Sequence, residues 1–391
     1  MHSIYSPHVI AEYVKTPDNG GAAIRTAGAV NEEDASVNNY LVASTLAAFW
    51  FAIQPQLSDA QTQTGGPTPA TRTQAQRAGS VKVTPETYIR AETDRSFRNI
   101  EQLAGGINRL YHFRSPTPLD KQTVVRMNKD TLYSAGVVDT AGGATITLPE
   151  VPPGRYMSIL LIDNDHYAPF VIYTPGTHQL PTDTKYLVVA VRTQLFNPND
   201  PAELALVNKL QDQVVIQAKS ADPLPPMQWD SGSLTALTQQ YEKDSAAYSS
   251  WKGMMGPRGK VDEKTRHIAA AAAWGLFPEW DATYLNYNGG HDPAVCHKAI
   301  YPIPDNRAFW SVTVYGNDGY MKNENSIVNS SNAKLNGDGT VTVYYGSKAA
   351  CGDVANRLDV TEGWNILMRI YRPGPSVVDG TYKIAKAVPA K

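Results

Sequence analysis

The stretch Arg126-Met127-Asn128-Lys129-Asp130-Thr131-Leu132-Tyr133 gathers cations, a carboxylate, an amide and a phenol into one octapeptide. Met127 and Leu132 interrupt the polar residues, so it does not read as a solvated run. A partly buried polar junction needs such a mixture, because each buried donor or acceptor must find a partner. Asp130 and Tyr133 can supply a proton or a hydrogen bond, and Arg126 and Asn128 can hold a polar ligand. The plainer reading is a structural network with Arg126 or Lys129 paired to Asp130. A second stretch is Asp163-Asn164-Asp165-His166-Tyr167. There His166 lies beside two carboxylates. It has the makings of a general base, with a neighbouring aspartate to orient the ring. If the two segments meet, His166, Asp130 and Tyr133 form the catalytic group.

A third group is aromatic. His267 and Trp274 are spaced to share one face of a predicted helix, and Trp280, Tyr284 and Tyr287 follow. Ligand pockets favour junctions lined by aromatics with a few polar groups. Trp274 and Tyr284 therefore join Arg126, Asn128 and Tyr167 as the expected ligand-binding residues. Interdomain core is the competing reading. His291, Cys296 and His297 fit no common zinc spacing, and adjacent Cys-His side chains diverge on an extended chain, so no metal is expected. Cys296 and Cys351 pair in an oxidising compartment and remain thiols in a reducing one, and pairing would leave the histidines on the surface. No G-x-S-x-G elbow, G-x-G-x-x-G or Walker sequence occurs, so neither an α/β-hydrolase serine esterase nor a phosphate-loop cofactor is indicated. No other cofactor is implied.

The elements that must position these residues can be read in order. Residues 1–36 have no periodicity. The apolar run Tyr40–Ile53 is too short to span a bilayer but fits the hydrophobic region of a secretory signal, followed by small residues at Ser58-Asp59-Ala60. No Lys or Arg lies just upstream, and a start near Val37 would make the segment an ordinary-length signal. Residues 61–83 read as a linker. Thr84-Pro85-Glu86 opens a helix that ends at Gly105-Gly106. From Ala144 the period is two, with strands over 145–148, 155–163, 170–173 and 186–192. Asp200-Pro201 caps a helix with a Leu206, Leu210, Val214 stripe. Residues 233–252 and 262–274 look helical. Strands return at 310–315, at 340–345 after the hairpin signal Asn336-Gly337-Asp338-Gly339, and at 364–371.

These residues match a known pattern. Asn128-Lys129-Asp130-Thr131-Leu132-Tyr133-Ser134, Gly154-Arg155-Tyr156-Met157-Ser158 and Tyr186-Leu187-Val188-Val189 resemble the first of the paired bacterial domains of unknown function numbered 1254 and 1214. Phe309–Tyr315, Gly319-Tyr320, Asn336–Gly339, Leu367–Pro373 and Asp379-Gly380-Thr381 resemble the second. The resemblance covers residues 84–388 and is to the shorter members. Lys129 stands where the pattern has arginine, which keeps the charge but loses the planar fork. The resemblance implies two β-sandwich-like units with helical additions and carries no established reaction.

The expected fold is therefore α+β and β-rich, with two antiparallel sandwich or jelly-roll-like units and helical additions. Residues 84–222 form the first domain, and 223–391 a helical connection plus the second. With 42% hydrophobic residues, 18% charged residues and a net charge of -2, nothing asks for nucleic acid. No stable membrane span is expected after processing. One functional expectation is an exported small-molecule hydrolase or acid–base enzyme with a pocket between the β units. The other is a non-catalytic periplasmic or envelope protein that binds or assembles, including with itself, through its sandwich edges.

Overall fold

The computed structural model describes residues 80–122 and 125–390. The expectations for residues 1–36, the apolar run 40–53, Ser58-Asp59-Ala60 and the linker up to 79 lie outside the described residues. The chain is β-rich with antiparallel sheets and six described helices.

The first β unit starts at β1 (Tyr111–His112) and β2 (Thr131–Asp139). It continues through β3 (Ala144–Leu148), β4 (Met157–Asp163), β5 (Val171–Ile172), β6 (Gly176–Gln179), β7 (Tyr186–Gln194) and β8 (Val215–Ala218). One sheet has the order β1-β2-β7-β4-β5 and the other β6-β3-β8. Every residue of β4 and β7 is buried. Strands covered on both faces read as continuous apolar runs, and 186–191 is one. One face of the larger sheet packs Val138, Ile159, Leu161, Val189 and Val191 against Ile146 and Leu148 of β3, which makes a sandwich. Burying each such side chain stabilises by roughly 1.5–3 kcal/mol.

The opposite face of that sheet meets helices. In α1 (Pro85–Ala104), Thr84 precedes proline, and its N–H donates to Thr87 Oγ1 at 2.9 Å. Gly105 ends the helix in the left-handed region, at φ 73°, where glycine carries no Cβ penalty. Phe97 and Ile100 of α1 pack with Ala135, Leu160, Ile162 and Val188, and Trp274, Phe277, Phe309 and Tyr371 complete this central core. The helix α2 (Pro201–Asp212) is capped by Asp200 Oδ1, which accepts from Ala202 N at 2.9 Å. Its buried face is Val207, Leu210 and Gln211; of the predicted stripe Leu210 is buried on the helix, Val214 is buried just past its end, and Leu206 is exposed. The helices α3 (Ser231–Asp244) and α4 (Arg266–Ala272) are shorter than predicted, and α4 ends before Trp274. His267 and Trp274 therefore do not share a helix face. His267 packs edge-on against Tyr241 at 4.4 Å, and Trp274 stacks on His166.

The second unit holds β9 (Ala282–Asn288), β10 (His297–Tyr301), β11 (Trp310–Tyr315), β12 (Ile327–Asn329), β13 (Val341–Tyr345), β14 (Arg357–Leu358), β15 (Asn365–Tyr371) and β16 (Val388–Pro389). Its sheets have the orders β12-β11-β15-β9 and β14-β13-β10-β16. Val312, Ile366 and Met368 face Ala299, Val341 and Val343 in a second sandwich core. The aromatic segment around Tyr284 is strand β9, not an interdomain link. The turn at Asn336–Gly339 forms, with Gly339 N donating to Asn336 O at 3.0 Å, but β12 and β13 lie in different sheets. β13 and β14 run parallel, the one departure from antiparallel pairing among the described sheet strands. Cys296 and Cys351 are bonded. His291 and His297 stack at 4.5 Å beside Trp364, and His297 is buried, where the sequence suggested surface histidines. No described group of three or more His, Cys, Asp or Glu is placed to hold a metal.

Candidate functional site

The octapeptide is a strap between the two β units. Residues 126–132 are buried, and most of their polar partners come from the second unit. Arg126 adopts a left-handed backbone, φ 59°, and its N–H donates to Gly319 O at 2.8 Å. Its guanidinium lies over the Tyr315 ring at 5.0 Å, and burial beside Arg369 pulls its pKa down to about 10. Met127 O accepts from Tyr315 OH at 2.8 Å. Lys129 pairs with the Glu324 carboxylate, not with Asp130.

Asn128 organises the chemistry. Its Oδ1 accepts from Asp130 N at 2.9 Å. Its Nδ2 lies 2.9 Å from Thr131 Oγ1, 3.1 Å from Tyr133 OH and 2.9 Å from Tyr371 OH. Two N–H groups are thus shared among three hydroxyls. Asp130 is fully buried, and Ser311 Oγ donates to its Oδ2. Its Oδ1 has no hydrogen-bond partner among the described residues. Burial raises the Asp130 pKa, against the pull of Arg369, Ser311 and Asn128. Arg369 is buried on β15 and donates to Arg126 O at 2.7 Å, Tyr315 OH at 2.9 Å and Thr313 Oγ1 at 3.1 Å.

Tyrosines close the group. Tyr371 stacks on Phe309 at 4.3 Å and is held neutral far above the usual phenol range by burial and by Asp130. Tyr284 is pushed up to about 12, again by burial, while Arg192 pulls the other way. Arg192 sits 4.0 Å from the Phe277 ring and 5.4 Å from that of Tyr133. Phe277 and Tyr284 also line a cleft of about 260 Å³, with Trp251, Lys252, Glu279 and Val378 among its other walls. The same two aromatics therefore face both the cleft and the buried polar group.

The second predicted segment is elsewhere. Asp163 Oδ1 accepts from Asp165 N at 2.9 Å and Tyr167 N at 2.8 Å, an Asx turn that throws His166 into the left-handed region at φ 61°. His166 is fully buried, stacks 5.3 Å from Trp274, and accepts from Gly275 N at Nε2 over 3.3 Å. Burial, helped by Arg266, drives its pKa down to about 3. Neither aspartate orients the ring. Asp165 is taken by Arg90 and Arg258, both at 2.8 Å. Tyr167 donates to Glu263 at 2.8 Å with Arg266 3.6 Å from its ring. Among the described residues no hydrogen bond or ring contact joins His166 to Asp130 or Tyr133: His166 meets Trp274 and Gly275 N, while Asp130 meets Ser311 and Asn128. Trp274 stacks on His166 and belongs to the central core against which Tyr133 and Tyr284 also pack.

The structure thus brings together Arg126, Asn128, Asp130, Tyr133 and Tyr284; His166 and Tyr167 have other partners, and Trp274 is shared core. Arg192, Ser311, Arg369 and Tyr371 were missed. A signal for two of them was present: Arg192 ends an apolar run and Arg369 interrupts one. A cation in a strand buried on both faces needs an internal partner.

The family model for a protein of unknown function (DUF1254) matches residues 107–170, and that for a protein of unknown function (DUF1214) matches residues 284–375. The two matches fall in that order along the chain. No curated protein matches it. The crystal structure of the VPA0106 protein from Vibrio parahaemolyticus is similar, with TM-score 0.57 and 16% identity over 78% of this chain and 98% of that one. A putative uncharacterized protein from Burkholderia cenocepacia aligns with TM-score 0.45 and 16% identity, covering 83% of this chain and 91% of that one. The first likeness speaks to the fold alone. The DUF1254 match takes in the octapeptide, and the DUF1214 match takes in Tyr284, Ser311, Arg369 and Tyr371, so the polar group is built from both.

Proposed function

We propose that the protein takes a small organic molecule into the cleft beside Tyr284 and acts on it by acid–base chemistry, with Asp130 as the proton carrier. The observation that carries this reading is the Asp130 carboxyl itself. It is fully buried, its pKa is raised, and one of its oxygens has no described partner. Native structures rarely leave such an atom without a role. In this reading Asn128 orients the Tyr133 and Tyr371 hydroxyls, and Tyr284 hands the ligand from cleft to carboxyl. Native mass spectrometry of the purified protein tests it. A co-purifying small molecule is expected, with its occupancy lowered in Tyr284→Phe and its turnover abolished in Asp130→Asn. A ligand-free wild type, or full occupancy in Tyr284→Phe, refutes the reading.

A second reading, assembly through the sandwich surface, draws on Ile300 and Val388, which are 51% and 53% exposed on adjacent strands of one sheet. Export is part of both proposals. The bonded cysteines and the apolar run 40–53 support it. The mature protein recovered from its host is expected to begin near Gln61, and an intact Met1 in its mass spectrum would refute export.

A further inference from the structure

A second cavity, of about 340 Å³, lies between α1, the start of β7 and the segment Asp222–Trp229. Three prolines keep that segment extended, because proline biases the residue before it away from helix. It is pinned along its length. Asp222 N donates to Asp139 Oδ2 at 2.9 Å, and Tyr186 OH donates to Pro223 O at 2.7 Å. Arg98 Nη2 donates to Leu224 O at 3.3 Å and also to Pro225 O. At the far end Val81 N donates to Gln228 O at 2.6 Å, and Val81 O accepts from Asp230 N at 2.8 Å. The cavity is therefore preformed, without any closing movement.

Its walls divide by chemistry. Phe97, Tyr186, Leu224, Met227 and Trp229 give an apolar, largely aromatic body. Arg90, Arg98 and Lys185 line it as cations, and Asp94 is the one carboxylate. Asp94 is already committed. It accepts from Arg90 Nε at 3.1 Å, Asn164 Nδ2 at 3.2 Å and Trp229 Nε1 at 2.9 Å. A cationic ligand would find no carboxylate free to receive it. Lys185 differs: its one ion pair among the described residues is with Asp222 at 2.7 Å, and the two side chains are 45% and 63% exposed. Exposed pairs of this kind contribute little and exchange readily for another anion.

We infer that this cavity binds a small organic acid, with its apolar or aromatic body against Trp229 and Met227 and its acid group on Lys185. The site is separate from the one around Asp130 and does not depend on it. Fluorescence titration of the full chain with anilinonaphthalene sulfonate tests it, alongside phenylnaphthylamine, which has the same aromatic body without the charge. Saturable binding of the sulfonate is expected, tighter than that of the neutral analogue. Lys185→Gln and Met227→Glu, both at exposed positions, are each expected to weaken the sulfonate by about fivefold or more with the melting temperature unchanged. Equal binding of the two probes would overturn the acid preference. Unchanged sulfonate affinity in both variants, or no saturable binding, would overturn the site.

Discussion

Replacing Arg369 with methionine is expected to lower the free energy of unfolding by about 3–5 kcal/mol, read from urea denaturation at pH 7. Arg369 is 2% exposed, and its guanidinium serves Arg126 O, Tyr315 OH and Thr313 Oγ1. Methionine fills similar volume but leaves those acceptors without a donor and Asp130 without its main electrostatic counterweight. The pH dependence carries a sign. Asp130 already has a raised pKa in the fold, and losing Arg369 raises it further. A carboxyl with a raised folded pKa contributes stability that is present below its unfolded value and lost as pH rises through the folded one. The deficit of Arg369→Met should therefore be smallest at acid pH and grow as pH rises through the folded-state Asp130 value. Adding Asp130→Asn should recover part of it by removing the stranded charge. A loss below about 1 kcal/mol, with no recovery, would show that this buried cation does not hold the two sandwiches together.

The second large effect is expected at His166. Its imidazole is neutral in the fold, with a pKa driven down to about 3 by burial, against an unfolded value of about 6.5. Above pH 6.5 neither state takes the proton, and His166 adds no pH dependence. Below it the unfolded chain takes the proton and the folded one refuses it, so stability falls by about 1.4 kcal/mol per pH unit. Between pH 7 and pH 4 the loss from this one group is about 3 kcal/mol. Asp130, Glu92, Asp163 and Asp281 have raised pKa values and work in the opposite direction. The wild-type curve alone is therefore a sum. Comparison with His166→Asn isolates the imidazole, since asparagine tolerates the left-handed backbone and does not titrate. The two stability curves should diverge below pH 6.5. Parallel curves would mean that the ring finds a proton inside the fold, which its contacts with Trp274 and Gly275 do not allow.

Much of the fold follows from local pattern. The Thr84-Pro85 start and Gly105 stop of α1, the apolar run of β7 and the alternation in β11 and β13 depend on cap chemistry and side-chain period, which neighbours in sequence carry. The errors fall where that information stops. The α2 stripe was misplaced at Leu206 because Leu206 and Val207 are equally apolar, and only the partners Leu132 and Leu195 decide which is buried. β9 was missed because its alternation is blurred: its partner β15 covers a strand in which Tyr284 points into a polar group.

The candidate site divides the same way. By itself the sequence indicated that Arg126–Tyr133 is a partly buried polar junction, because apolar Met127 and Leu132 interrupt the polar residues and each buried donor or acceptor must find a partner. It put Asp130 among the candidate catalytic residues and Asn128 among the candidate ligand-binding ones. Tertiary structure alone decided who their partners are. His166 looks like a base beside two carboxylates, yet an Asx turn directs its ring into a dry core and turns the aspartates toward Arg90 and Arg258. Ser311, Arg369 and Tyr371 come from strands far along the chain. Hydrogen bonds and charge act over a few ångströms of space, and chain separation says nothing about which residues share those few ångströms.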